Sequence, residues 1–113
     1  MSGYIVVLVT CPARAQAQRI AGALIKEKLC ACVNIIPSVQ SLFWWEGKID
    51  SAREVLMVIK TKRALYKALV SMVEKKHSYA TPEIIALPVL YGNKNYLRWI
   101  DESVKKSSPP RRK

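Results

Sequence analysis

Acidic side chains are scarce in this sequence: eight Asp and Glu stand against 19 Lys and Arg, a formal charge of +11 over 113 residues. Cysteines number three, Cys11, Cys30 and Cys32, an odd count with no C-x-x-C pair, which argues against a disulfide framework or a closed zinc site. Cys30 and Cys32 fall two apart and share one strand face, where they read as buried inert thiols, with a soft-metal pinch as the lesser alternative. No apolar run approaches the ~20 residues a membrane span needs, and the N-terminus enters a strand without a basic region or cleavage site. These absences predict a soluble, cytoplasmic chain that does not enter a membrane, an organelle-targeting extension being left open. No internal repeat or linker divides the chain, so it reads as one domain over 1–104.

The basic excess raises the question of nucleic acid, and its distribution answers most of it. The segment K-K-S-S-P-P-R-R-K, 105–113, holds five of the 19 basic groups and no acid, the composition of a disordered tail. The remaining 14 basic groups against eight acids leave a domain near +6, which attracts anions without being built to hold them. An RNA-recognition module would carry stacking aromatics on its first and third strands, and Y-I-V-V-L-V and E-V-L-M-V-I-K lack them. Nucleic acid is therefore not the expected partner. An acylphosphatase-like hydrolase would need a glycine-rich cradle around an arginine after the first strand; T-C-P-A-R has the arginine and no glycine, and no nucleophile with a neighbouring base is visible.

What the chain has in plenty is apolar sequence organised around A-C-V-N-I-I-P-S-V-Q-S-L-F-W-W-E-G-K, Ala31 to Lys48. β-Branched and aromatic residues make this a long strand, bent at Pro37-Ser38 and turning at Glu46-Gly47. Leu42 and Trp44 fall on one face, Phe43 and Trp45 on the other, so both faces are apolar. A hairpin end of this kind in so small a chain predicts contact with another chain.

The rest follows in order. Tyr4 to Val9 reads as a central strand. Pro12 opens a helix from Ala13 to Lys28 whose inner positions are Ala17, Ile20, Ala21, Leu24 and Ile25. Asp50-Ser51 reads as a second irregularity after the turn, and Glu54 to Lys60 as the next strand. Thr61 is placed to cap a helix with inner face Leu65, Ala68, Leu69, Met72 and Val73. Lys75, Lys76 and His77 close it, where the helix dipole favours positive charge. Glu83 to Leu90 reads as an edge strand because of Pro88. Tyr91-Gly92-Asn93 then leads into a short helix with Tyr96, Leu97, Ile100 and Val104 inward, held by Tyr96 and Trp99. The order predicts an α+β ferredoxin-like βαββαβ sandwich with an extended hairpin between its second and third strands and a C-terminal helix. Helices cover one face of the sheet; the other must find cover elsewhere.

Five blocks carry a resemblance: L-C-A-C-V-N-I-I-P, S-L-F-W-W-E-G-K-I, V-I-K-T, H-S-Y-A-T-P-E-I-I-A-L-P-V and N-Y-L-R-W-I. In this order and spacing the chain, from Tyr4 to Val104, resembles the CutA family of divalent-cation tolerance proteins. The resemblance implies a homotrimer with its sheets facing inward, built like the PII signalling trimers. It implies a part in tolerance of copper and other divalent ions, no enzymatic reaction, and no tightly bound cofactor beyond a divalent cation such as copper. Some bacterial members are assigned a copper site of one cysteine and two histidines. Of those three positions only His77 matches here, the others holding Val9 and Lys76, and Ala80 stands where an acidic or amide residue is common. Cys11, two residues past Val9, is positioned to face the same side.

The site candidates follow. His77 and Glu83, flanking a short turn, are the metal candidates, although Lys75 and Lys76 repel a cation beside that histidine. The alternative is that His77 only ends its helix and Glu83 pairs with a lysine. Trp45, Lys60 and Tyr79, together with Glu83, sit at strand ends where a trimer forms clefts. There the lysine and the carboxylate either neutralise each other or bind a small anion or metabolite. Phe43, Trp44 and Trp45 are assigned to the trimer interface, because aromatics bury much area for little rotamer entropy. The expected function is a non-enzymatic homotrimer binding a metal ion or small ligand between subunits; the alternative is a PII-like trimer that reports a metabolite to a protein partner.

Overall fold

The computed structural model describes residues 3–106 and has the element order β1 (Tyr4–Cys11), α1 (Arg14–Lys26), β2 (Cys32–Trp45), β3 (Lys48–Lys62), α2 (Tyr66–Lys76), β4 (Ile84–Pro88) and α3 (Lys94–Ser103). The four strands form one antiparallel sheet in the order β2-β3-β1-β4, with Pro88 on an edge strand as its missing N–H requires. The βαββαβ order and the following helix agree with the ferredoxin-like expectation. The basic tail, from residue 107 on, lies outside the described residues. Among the described residues no helix is long and apolar enough to cross a membrane.

Strand alternation decides where the core sits. Ile5, Val7, Val9 and Cys11 of β1 and Val55, Met57 and Ile59 of β3 are buried beneath the helices. Ala17, Ile20, Ala21 and Leu24 of α1 and Leu69 and Val73 of α2 meet them, each large apolar side chain stabilising the fold by about 1.5–3 kcal/mol. The intervening Val6, Leu8, Leu56 and Val58 point to the opposite face and are only partly buried, that face lying open away from α3, which reaches it at Tyr4 and Lys62; Ile85 and Leu87, paired with Leu8 and Val6, extend it and are exposed.

β2 and β3 make the long hairpin. Its two-residue turn has Glu46 at φ 50° and Gly47 at φ 79°, the mirror-image turn that suits the strands' right-handed twist. Pairing runs without interruption from Trp45↔Lys48 to Val39↔Glu54, then resumes at Ile36↔Leu56. Pro37 and Ser38 therefore put one extra residue into β2, a bulge with Ser38 at φ 68°. Below it Cys32, Asn34 and Ile36 face the uncovered side; above it Val39, Ser41, Phe43 and Trp45 do.

Several local expectations are corrected. β3 begins at Lys48 rather than Glu54, and no register shift occurs at Asp50-Ser51, because pairing with the apolar end of β2 holds this polar stretch extended. Thr61 is not a helix cap: it belongs to β3, is fully buried, and its hydroxyl donates to the Leu29 carbonyl at 2.7 Å. A short 3₁₀ turn, Arg63–Leu65, starts the helical segment instead. Ile25, Ala68 and Tyr96 are exposed rather than inward. Cys30 precedes β2 instead of sharing its face with Cys32; it is buried, whereas Cys32 is only partly so. Asn93 caps α3, its Oδ1 accepting from the backbone N–H groups of Asn95 and Tyr96 at 2.9 and 3.2 Å. Asp101 of α3 holds that helix to the sheet by accepting from Tyr4 Oη at 2.6 Å and pairing with Lys62 Nζ at 2.6 Å.

Candidate functional site

The uncovered face forms a cleft of about 860 Å³ between the hairpin end and the loop after α2. β2 contributes Ser41, Leu42, Phe43 and Trp45; β3 contributes Asp50, Ala52 and Glu54. Thr10 of β1 lies at the inner end, and Tyr79 to Glu83 close the side. The bulge is what turns Phe43 and Trp45 toward this cleft.

Its polar groups are tied to one another. Glu54 is only 9% exposed, and its Oε2 accepts from Tyr79 Oη at 2.8 Å. Burial, then the bond to this carboxylate, push the Tyr79 hydroxyl up to about 12, so at neutral pH it remains a donor. Thr10 Oγ1 donates to Glu83 Oε1 at 3.4 Å. Three carboxylates, Asp50, Glu54 and Glu83, line the cleft, and among the described residues neither lysine nor arginine is in its walls.

Trp45, Tyr79 and Glu83 are thus brought together, and His77 and Lys60 are not. The His77 ring is buried: Nε2 stands 2.7 Å from the Thr10 carbonyl, and Nδ1 accepts from the Tyr79 N–H at 3.1 Å. These partners put the proton on Nε2 and leave neither nitrogen to a cation. The ring steers the loop instead, its centroid 4.8 Å from that of Tyr79. Lys60 lies at the far end of the same sheet face, bonded to Asn34 and 3.9 Å from Cys32 Sγ. It neither neutralises Glu83 nor offers the cleft a positive charge. Glu54, Asp50 and Thr10 were missed as lining residues. Alternation along E-V-L-M-V-I-K offered one signal, since its lone acid leads the strand on the face opposite the core.

Copper does not fit the positions around His77. Val9 is buried and apolar, Lys76 is exposed and cationic, and Cys11, which shares the buried side of Val9, contacts Met57 Sδ at 3.6 Å. Burial pushes the Cys11 thiol up to about 11 and the Cys30 thiol up to about 12, away from the thiolate a soft metal requires. Among the described residues no group of three or more His, Cys, Asp or Glu is placed to hold a metal ion.

Phe43, Trp44 and Trp45, assigned to an interface, are 38%, 73% and 60% exposed, and Leu42 is 67% exposed. Both faces of the hairpin end are open to solvent in the single chain.

Comparison with known proteins places this geometry. The family profile described as CutA1 divalent ion tolerance protein matches residues 5–103. The chain is 48% identical over 103 residues to protein CutA 1, chloroplastic, of Oryza sativa subsp. japonica, covering 91% of this chain and 58% of that protein. It is 46% identical over 98 residues to the divalent-cation tolerance protein CutA of Archaeoglobus fulgidus, covering 87% of this chain and 95% of that one. It therefore spans little more than half of the plant relative's length and nearly all of the archaeal one's. The crystal structure of CutA1 from Oryza sativa superposes with a TM-score of 0.90 at 47% identity, covering 92% of this chain and 95% of that one. The divalent cation tolerance protein of Thermus thermophilus gives 0.88 at 40% identity, with 90% and 99% covered. Fold, sequence and extent agree, and the chain belongs to the CutA1 family of divalent ion tolerance proteins.

Proposed function

We propose that this protein acts without catalysis in divalent-cation tolerance, as a homotrimer whose recognition site is the acidic cleft between the hairpin end and the loop after α2. The observation that carries this reading is the apolar surface left uncovered by the single chain: Leu42, Trp44, Trp45 and Ile49 on the hairpin end and Ile85 and Leu87 on the open sheet face. Large apolar side chains exposed on both faces of a hairpin end and on an open sheet face, in so small a domain, are what self-association buries. The cleft lies beside it, so assembly would bring a neighbouring chain to its mouth.

A divalent ion entering the cleft meets carboxylate and hydroxyl oxygens, donors that suit hard cations better than copper. One observation favours the second reading, a PII-like trimer that senses a small ligand: a volume of about 860 Å³ is that of a metabolite pocket rather than of a bare ion.

Sedimentation at micromolar concentration tests the assembly. The expected result is a single species of three chains that Trp44→Glu dissociates; a single chain with solvent-quenched tryptophans would reject the reading. Titration with magnesium and copper, on the wild type and on Glu83→Gln, tests the cleft. Retention of all metal binding by the variant would remove Glu83 from it.

A further inference from the structure

We propose that the ligand of the cleft is a linear polyamine, an extended aliphatic chain with an ammonium group at each end. The inference rests on the reading of this cleft as the recognition site and names its ligand class. Three properties of the cleft lead to it. The first is charge: Asp50, Glu54 and Glu83 line it, with no lysine or arginine among the described residues of its walls, in a chain whose net charge is +11. The net charge opposes the approach of a polycation, so a group of carboxylates in a concave site is where one would be drawn.

The second is spacing. Asp50 and Glu54 lie on the same face of β3, four residues apart in an unbroken register, which sets their backbones roughly 13 Å from each other at ~3.3 Å per residue. Glu83 joins Glu54 at the inner end, where Thr10 and Tyr79 hold the two carboxylates. Negative charge therefore sits at two separated poles. A metal ion gathers its oxygens around one point, and no such gathering occurs among the described residues.

The third is the wall between the poles. Phe43, Trp45 and Ala52 line it, giving methylene groups an apolar bed and ammonium groups aromatic faces. A hydrated metal ion gains nothing from these residues. Tyr79 contributes as a neutral donor to Glu54, leaving the negative charge on the carboxylate.

Isothermal titration of the assembled protein with spermidine tests the proposal, with n-butylamine and magnesium chloride as separate arms. The expected result is saturable binding at one spermidine per chain, at least tenfold tighter than n-butylamine and not displaced by magnesium at equal charge. Asp50→Asn, an exposed position whose change leaves the core intact, weakens spermidine at least fivefold, and Glu54→Gln at least tenfold. Saturable magnesium binding without spermidine binding overturns the polyamine and leaves the cleft as a cation site. Absence of both overturns the cleft reading as well. Spermidine binding that Asp50→Asn leaves unchanged overturns the two-pole arrangement.

Discussion

Tyr79, in the loop after α2, donates its hydroxyl hydrogen to Glu54 on β3 over 2.8 Å and ties the loop to the hairpin at the inner end of the cleft. The bond joins residues 25 apart in sequence and gives a nearly buried carboxylate its partner.

Replacing Tyr79 by Phe leaves that carboxylate without its donor, at a cost of about 1–3 kcal/mol in chemical denaturation. Burial first, and this bond second, raise the hydroxyl to about 12, so the bond's contribution is complete below the ordinary tyrosine value near 10 and is lost as pH rises from there toward 12. Absorbance titration at alkaline pH is expected to find a late-ionising tyrosine that Tyr79→Phe removes.

Thr61→Val keeps the shape of a fully buried side chain and deletes its bond to the Leu29 carbonyl. A loss of about 1–3 kcal/mol is expected by urea unfolding. A loss below a few tenths would mean that the residue acts only through its volume.

Gly47→Ala tests the turn. At φ 79° with open space around the added methyl, the only penalty is conformational, so stability falls by about 1–2 kcal/mol while the circular dichroism spectrum stays the same.

The pairing of α3 with the sheet should be acid-sensitive. Bonding to Lys62 first, and to Tyr4 second, holds the Asp101 carboxyl below the usual carboxylate value. Its folded value is depressed, so the stabilisation is present above about pH 3.9 and disappears as pH falls from there through the folded value. Asp101→Asn is expected to flatten that part of the stability-against-pH curve, measured by thermal unfolding.

Much of the fold was legible because it is written in alternation. The two apolar faces of Leu42 to Trp45, the bend at Pro37 and the edge position of Pro88 all follow from local steric rules, and the structure keeps each. Lys48 to Arg53 was not legible as strand: K-I-D-S-A-R has the composition of a turn, and only pairing with the opposite strand holds it extended. Thr61 is equally suited to a cap and to a strand, and a carbonyl 32 residues away decided between them. The site shows the same division. Trp45, Tyr79 and Glu83 were found because they flank turns. Lys60 was grouped with them, but it lies six residues beyond Glu54 on the strand, roughly 20 Å along the sheet. His77 takes its role from the Thr10 carbonyl 67 residues away, which no local pattern encodes.

The extra residue at Pro37-Ser38 acts as a phase shifter for everything beyond it in β2. Excising one of the pair would leave a single residue opposite Val55 with Val39 still opposite Glu54, so the strand would alternate evenly while Phe43 and Trp45 kept the face they have and Leu42 and Trp44 kept theirs. A single-codon deletion there would remove the irregularity and spare the binding surface, whereas straightening the strand with both residues kept would turn that surface inside out.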